Sequence, residues 1–225
     1  MSRELSGMAG APAGGLPMCY EVRPMPGLVF PSGSFVAYLF DCDGTIADSM
    51  PLHYQAWLEA LAPHGCEFSG EDFYGWAGMP TDRIVERLNE KYGLRMPVAE
   101  VFAAKEAAYH RLIPTVRGVP EVVAALREAP PGVKRAVVSG SPRASVERTL
   151  EFLGLRGYID EVVAAEDYAR PKPAPDPFLE AARRLGVEPA RCLVFEDATL
   201  GIQSAQAAGM PWVFVDPRAL AAERG

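Results

Sequence analysis

The sequence is short of positive charge and of long apolar runs, and each shortage excludes a class of protein. Its 22 Lys and Arg are outnumbered by 29 Asp and Glu, for a formal net charge of -7. A nucleic-acid-binding surface needs basic patches that neutralise phosphates, so nucleic acid is not an expected partner. No uncharged apolar run approaches the roughly 18 residues that a membrane-spanning helix needs, so a membrane is not expected either.

Cysteine is also scarce in the sequence. The 225 residues include four, which are Cys19, Cys42, Cys66 and Cys192, and no two of them form a Cys-x-x-Cys pair. This spacing predicts free thiols in a reducing compartment and lacks the ligand pattern of a structural zinc site. We therefore expect a cytoplasmic protein, with a monomer as the default.

Apolar runs that alternate with amphipathic stretches predict the fold. Phe35–Phe40 is typical of a fully buried strand, and four similar runs follow it with helical stretches between them. Such alternation indicates a parallel sheet covered on both faces, and right-handed crossovers make it a doubly wound, Rossmann-like α/β core. The other predicted strands are Arg135–Ser139, Glu161–Ala165, Cys192–Phe195 and Trp212–Val215.

The connection between the first two core strands is too long for a loop and predicts a second domain. Residues 51–114 are mostly helical in pattern, which we interpret as a small helical cap inserted above the carboxyl ends of the strands. Residues 35–50 and 115–225 then form the α/β catalytic core. Residues 1–34, rich in Gly and Pro, predict a flexible leader followed by an edge hairpin near Gly27–Pro31.

Polar residues follow four of the predicted strands, at the edge where an open parallel sheet binds its ligands. Four carboxylates meeting there would repel one another unless a cation joined them, and Mg²⁺ with oxygen ligands is the expected one. Mg²⁺ and a lysine together suit a phosphate group, so the substrate should be phosphorylated. The residues are Asp41, Asp43, Ser139, Lys172, Glu196 and Asp197.

The positions of these residues predict their roles. Asp41, at a strand end, can attack phosphorus as a nucleophile. Asp43, two residues on, can protonate the leaving oxygen and later deprotonate water. Lys172 stabilises charge on the transferring group, and Ser139 donates a hydrogen bond to it. Asp197 binds the metal, and Glu196 is either a ligand or lies behind one. Further predicted substrate-binding residues are Gly44, where the chain turns, Thr45, Gly140 and Ser141.

Four segments together resemble the motifs of the haloacid dehalogenase superfamily of phosphotransferases. They are FDCDGTIADS, VVSGS, RPKPAPD and VFEDATLGIQSAQAAG, which occur in order at predicted strand ends within residues 36–216. The resemblance implies an aspartyl-phosphate intermediate on Asp41. It also implies Mg²⁺ held by the Asp41 carboxylate, the Asp43 main-chain carbonyl and Asp197. The metal-free dehalogenases and the phosphonate-cleaving relatives replace the position of Asp43, which argues against both branches.

The predicted cap is similar to that of β-phosphoglucomutase and its sugar-phosphatase relatives. His53 and Trp57, in the segment DSMPLHYQAW, match that group's pattern. In such enzymes the cap histidine helps to hold the acid/base aspartate. Residues 76–81, which include Gly78 and Thr81, match the loop that sets substrate specificity.

Two departures from the mutase favour hydrolysis over mutation. The mutase grips a second phosphate with an Arg where this chain has Thr81 and a Lys where it has Pro142. Each charged contact contributes roughly 1.5–3 kcal/mol, and Arg143 is a candidate to compensate in part. We therefore expect a Mg²⁺-dependent phosphatase acting on a sugar phosphate, similar to bacterial fructose-1-phosphate phosphatases. A hexose-phosphate mutase and a non-catalytic binder of phosphorylated metabolites are the alternatives.

Some of these residues also have purely structural explanations. His53 and Trp57, four positions apart, can simply form the core of the cap. Thr81 is most simply the N-cap of the following helix. The two acidic residues after the fourth strand can cap the next helix, since acids favour helix N-termini. Asp48 and Ser49 are expected to organise the hinge between core and cap rather than to contact substrate.

Overall fold

A parallel sheet lies at the centre of the computed structural model, which describes residues 27–216. Its strands are β1 (Ala37–Phe40), β2 (Lys134–Val138), β3 (Glu161–Val163), β4 (Cys192–Glu196) and β5 (Trp212–Phe214). They lie in the order β3-β2-β1-β4-β5, and every neighbouring pair is parallel. The predicted doubly wound α/β fold is confirmed.

Helices connect the strands, as the alternation of apolar runs and helical stretches predicts. The connection from β1 to β2 contains α1 (Met50–Leu61), α2 (Gly70–Gly75), α3 (Thr81–Tyr92), α4 (Val98–Leu112) and α5 (Pro120–Arg127). The later helices are α6 (Arg143–Phe152), α7 (Asp176–Leu185) and α8 (Thr199–Ala207). Because Pro80 occupies the capping position of α3 and Thr81 is already helical, the prediction that Thr81 caps this helix was wrong.

The sheet separates two apolar layers, because side chains alternate between its faces along each strand. Tyr38 and Phe40 pack on one face with α5 and α6, whereas Ala37 and Leu39 pack on the other with α7 and α8. The first face carries the larger side chains, including the stacked rings of Phe40 and Phe195, whose centroids lie 4.5 Å apart. Because helices cover both faces of the sheet, ligands can reach it at the edge where the strands end.

The helices α1, α2 and α3 and the start of α4 surround an apolar cluster of their own. Trp57, Phe68 and Leu88 are buried there, apart from the two layers that flank the sheet. A separate cluster is what an inserted domain needs to hold its own shape. The division into a core of residues 35–50 and 115–225 and a cap of residues 51–114 remains a prediction, which this cluster supports.

The amino-terminal segment is described only in part. Residues 1–26, and with them most of the predicted flexible leader, lie outside the described residues. The predicted hairpin near Gly27–Pro31 falls on described residues, in which no strand precedes β1. From Gly27 onward the chain contacts the core: Leu28 is buried, and the ring of Phe30 meets that of Phe195 edge-on at 5.8 Å. Within residues 27–216 no helix combines the length and apolarity needed to cross a membrane.

The two-layer packing predicts a clear difference between two leucines on the helices that flank the sheet. Leu150 in α6 is fully buried, whereas Leu179 in α7 is 38% exposed. Leu150→Ala should lower the free energy of unfolding by about 2–5 kcal/mol, because it opens a cavity beneath α6. Leu179→Ala should cost less than about 1 kcal/mol. Urea unfolding followed by tryptophan fluorescence measures both, and equal losses would contradict the described packing.

Candidate active site

The carboxyl ends of β1, β2 and β4 form the floor of a cavity, and helical segments from the long insertion form its opposite wall, the cap wall. Because parallel strands end at one edge, the floor collects residues from four separate parts of the sequence. The floor includes Asp41, Asp43, Ser139, Gly140, Ser141, Lys172, Glu196 and Asp197, and the cap wall includes Met50, His53, Trp57, Phe73, Trp76, Gly78, Met79, Thr81 and Lys105.

A buried lysine joins two of the floor carboxylates. Lys172 Nζ donates to Asp41 Oδ1 at 2.6 Å, to Glu196 Oε2 at 2.7 Å and to the carbonyl of Val138 at 3.3 Å. Burial alone lowers the pKa of Lys172, but Asp41 and Glu196 outweigh it and hold the pKa above its ordinary value. The ammonium is therefore charged and has three acceptors, which lets the two buried carboxylates lie side by side.

Even with this lysine, the floor carries an excess of negative charge. Carboxylate oxygens of Asp41, Glu196 and Asp197 lie within 4.8 Å of one another. Burial and then Glu196 raise the pKa of Asp197 to about 7. The same two causes raise the pKa of Asp41 above its ordinary value, although Lys172 lowers it. Oxygen ligands crowded in this way fit a hard divalent cation, which favours the ionised carboxylates.

The first turn after β1 brings Asp197 close to the backbone. Gly44 has a φ of +94°, and a Cβ atom there would lie 2.1 Å from Asp197 Oδ2, so only glycine fits. The neighbouring Thr45 is fully buried and its hydroxyl donates to Asp197 Oδ1 at 2.9 Å. Both residues therefore position Asp197, and neither is among the residues that line this cavity, so a substrate-binding role for them stays a prediction.

Glu196 is held in place by its own surroundings. Its Oε2 accepts from Lys172 and its Oε1 accepts from the backbone N–H of Ala198 at 3.2 Å. A Cβ atom on Gly201 in α8 would lie 2.0 Å from the Glu196 carboxyl carbon. Of the two roles predicted for Glu196, this environment favours the one in which it lies behind the metal ligands and anchors Lys172.

Asp43 faces a different set of partners from Asp41. Its Oδ1 accepts from Ser49 Oγ at 2.7 Å and is 2.9 Å from His53 Nε2, and its Oδ2 accepts from Ser141 Oγ at 2.7 Å. Burial would raise the pKa of Asp43, but electrostatic attraction to His53, followed by the hydrogen bonds from His53, Ser141 and Ser49, outweighs it and holds the pKa well below its ordinary value. Asp43 is thus an ionised acceptor, in the state suited to removing a proton.

The acid/base candidate is supported by residues of the insertion. His53 is buried, and its ring stacks on Tyr109 of α4 with centroids 3.8 Å apart. Burial and Lys105 lower the pKa of His53, although Asp43 raises it, so the neutral ring donates from Nε2. Its Nδ1 has no hydrogen-bond partner among the described residues. His53 was predicted from the sequence, but Tyr109 and Lys105 were not. Lys105 and Tyr109 are four residues apart on one helix, and this spacing could have indicated that both face the same site.

Of the other residues predicted to bind substrate, most line the cavity and one does not. Gly140 and Ser141 on the floor, with Trp57, Gly78 and Thr81 on the cap wall, all line the cavity. Ser49, assigned only to the hinge, instead donates directly to Asp43.

Arg143 is not among the described residues that line the cavity, and its role as a substrate-binding residue stays a prediction. Its guanidinium pairs with Asp167 and donates to the carbonyl of Val162 at 3.1 Å. The Arg143 side chain thus contacts the segment after β3, because α6 begins beside that segment.

The family assignment follows from the sequence match and agrees with this arrangement. The haloacid dehalogenase-like hydrolase family matches residues 35–209. The chain belongs to this family, and within it the chain is a phosphatase.

Curated proteins and several solved structures are similar to most of this chain. The chain is 41% identical over 184 residues to the fructose-1-phosphate phosphatase YqaB of Escherichia coli (strain K12), covering 80% of this chain and 96% of that protein. Similar solved structures include CbbY from Rhodobacter sphaeroides in complex with phosphate, with a TM-score of 0.71, 25% identity, and coverage of 79% and 84% of the two chains. CbbY has also been solved with xylulose-(1,5)bisphosphate. β-Phosphoglucomutase from Clostridium difficile has a TM-score of 0.71, 25% identity, and coverage of 79% and 83%.

Because α8 lies close to Glu196, one methyl group added to this helix at Gly201 should strongly affect activity. In an unobstructed helix, Gly→Ala stabilises by roughly 1 kcal/mol. In Gly201→Ala the Cβ atom instead displaces Glu196 and, through it, Lys172. We expect phosphate release to fall at least about tenfold and the melting temperature not to rise.

Gly75→Ala is the matched control, because this glycine is also helical and a Cβ atom there would meet nothing within 4 Å. It should keep wild-type activity. Equal activity of the two variants would show that the contact between α8 and Glu196 does not matter.

Proposed function

We propose that this protein is a Mg²⁺-dependent phosphatase that hydrolyses a small sugar phosphate through an aspartyl-phosphate intermediate on Asp41. The observation that carries the proposal is the floor of the cavity, where a buried lysine and a carboxylate pair surround the Asp41 side chain. The similarity to a fructose-1-phosphate phosphatase supports a phosphorylated sugar as the substrate class.

Asp41 is the nucleophile in this proposal. Its Oδ1 is held by Lys172 at 2.6 Å, which leaves the other carboxylate oxygen to attack phosphorus. The phosphorus–oxygen bond to the sugar breaks as the bond to Asp41 forms. Lys172, already charged and fixed, stabilises the negative charge on the transferring group without reorganising.

Asp43 serves both half-reactions as the acid/base. It removes a proton from the water that hydrolyses the aspartyl phosphate, the role for which its ionised state is suited. In the first half-reaction it gives a proton to the leaving alcohol, and this requires that it first carry one. Substrate binding that displaces Ser141 or His53 from the Asp43 carboxylate would raise the pKa of Asp43 and permit this.

Asp41 and Asp197 are the side chains that would hold the magnesium ion, with the main-chain carbonyl of Asp43 as the third protein ligand that the family implies. Bound there, the ion supplies positive charge to the phosphate and to the nucleophile together. Thr45 and Gly44 keep Asp197 in its place, and Glu196 keeps Lys172 in its place.

Hydrolysis is favoured over the mutase reaction by the residues of the cap wall. Thr81 lines the cavity where the mutase has an arginine, and Pro142 is the N-cap residue of α6 where the mutase has a lysine. Arg143, the candidate replacement, pairs with Asp167 instead. The arginine and the lysine with which the mutase grips its second phosphate are therefore both absent from the described cavity lining.

Compartment and assembly stay predictions. The described cysteines Cys42, Cys66 and Cys192 are all free and buried, which agrees with a reducing compartment such as the cytoplasm. A monomer remains the default.

A substrate panel tests the proposed reaction. With Mg²⁺ present, phosphate release is measured from fructose 1-phosphate, β-glucose 1-phosphate and 6-phosphogluconate. We expect release from at least one sugar monophosphate and its loss when the metal is chelated. Formation of glucose 6-phosphate from β-glucose 1-phosphate in the presence of added bisphosphate, without phosphate release, would favour the mutase instead.

The nucleophile is tested by a pair of isosteric substitutions. Asp41→Asn should reduce phosphate release by about a thousandfold or more, because the amide cannot form the intermediate. Asp160→Asn is the control, since Asp160 is exposed, lies outside the cavity lining and, as asparagine, can still accept from the backbone N–H of Arg135, so it should keep wild-type activity. Activity of Asp41→Asn close to that of Asp160→Asn would exclude Asp41 as the nucleophile.

A further inference from the structure

A buried lysine reaches the cavity from the cap wall. Lys105 lies on α4, is 3% exposed and lines the cavity opposite the floor. Among the described residues, Lys105 and Lys172 are the only lysines or arginines that line this cavity. A cation on the wall opposite the reacting phosphate is in the right place to bind a second anionic group of a substrate.

The next residue of α4 cancels this charge. Glu106 Oε1 accepts from Lys105 Nζ at 2.7 Å, and Glu106 Oε2 accepts from Ser145 Oγ of α6 at 2.5 Å. Ser145 is in turn 2.8 Å from His110 Nε2. The Glu106 carboxylate is 8% exposed and does not itself line the cavity, so it faces the lysine from behind.

The protonation state of Glu106 agrees with this pairing. Burial would raise the pKa of Glu106, but Lys105 and Ser145 outweigh it and hold the pKa below its ordinary value. Glu106 is therefore an anion in the working range of most enzymes, and the buried pair carries no net charge.

The remainder of the cap wall offers no other positive charge. Its described side chains are aromatic or neutral, with Trp57, Phe73, Trp76 and Thr81 among them. On the floor, Lys172 is already committed to Asp41 and Glu196. Every cation that lines the cavity thus has a protein carboxylate as a partner, and one phosphate position remains, at Asp41.

We propose that Glu106 is a specificity-determining residue, which neutralises Lys105 from behind and so restricts the enzyme to substrates with one phosphate and an uncharged remainder. The proposal rests on the proposed phosphatase function and names its substrate class more narrowly. A second phosphate or a carboxylate on the sugar would enter a desolvated wall without an uncommitted cation, and a buried unpaired charge is strongly disfavoured. The solved complex of CbbY with a bisphosphate indicates that the fold alone does not exclude such ligands.

The experiment removes the charge of Glu106 while keeping its shape. Glu106→Gln keeps one acceptor oxygen for Lys105 and places an NH2 group where it can donate to the Ser145 hydroxyl, but it leaves the ammonium charge of Lys105 uncancelled. Glu106→Asp keeps the negative charge on a shorter side chain and is the matched control. The probes are fructose 1-phosphate with fructose 1,6-bisphosphate, and glucose 1-phosphate with glucose 1,6-bisphosphate, each assayed for kcat and KM.

For the wild-type enzyme we expect kcat/KM for each bisphosphate to lie at least about tenfold below that of its monophosphate. In Glu106→Gln this ratio should rise by about tenfold or more, mainly through a lower KM for the bisphosphate. In Glu106→Asp it should stay near the wild-type value. A structural role alone would change kcat for both substrates and leave their ratio unchanged.

The outcomes separate the two proposals. If the wild-type enzyme hydrolyses no sugar monophosphate, the proposed function itself fails. If it hydrolyses monophosphates but takes the bisphosphates equally well, the proposed function stands and the role of Glu106 is wrong, whether or not any variant folds. An unchanged ratio in Glu106→Gln, or an equal rise in Glu106→Asp, also overturns it.

Discussion

The buried ammonium of Lys172 is the interaction on which the rest of the active site depends. It lies between the carboxylates of Asp41 and Glu196, and it opposes the rise in the pKa of Asp41 that burial causes. Removing one partner of such a buried pair typically costs about 3–5 kcal/mol, because the other charge is left unpaired. Asp41 must stay ionised to act as a nucleophile, so the same contact that holds the floor together also prepares it for chemistry.

The floor and the acid/base candidate are stabilised by different means. Asp41 and Asp197 lie among like charges, which the charge of Lys172 offsets only in part, and this crowding of oxygen ligands fits a divalent cation. Asp43, only two residues from Asp41, is surrounded by neutral donors from the hinge, from α1 and from the loop after β2. The two carboxylates thus acquire opposite tendencies, since burial and Glu196 raise the pKa of Asp41, whereas His53 and the neighbouring hydroxyl donors lower that of Asp43. This separation is what two distinct catalytic roles require.

The parallel sheet explains why so much of the site could be predicted. Residues that directly follow a strand must meet at one edge, and this property placed Asp41, Lys172 and Asp197 together from the sequence alone. The contacts that were missed depend on how helices dock. Arg143 is the first residue of α6, and nothing in the local pattern shows that it faces Asp167. Lys105 reaches the cavity only because α4 packs beside α1. Such packing between elements distant in sequence is not encoded in periodicity or motif spacing.

The central claim is that a phosphoryl group passes through the side chain of Asp41, and it is tested most directly by trapping that intermediate. Enzyme turning over a sugar monophosphate is quenched in acid and reduced with borohydride, which converts an aspartyl phosphate to homoserine. Peptide mass spectrometry then locates the reduced residue. The account predicts homoserine in place of Asp41, with none in enzyme treated without substrate. Homoserine at another aspartate, or unmodified Asp41 under conditions in which phosphate is being released, would contradict it.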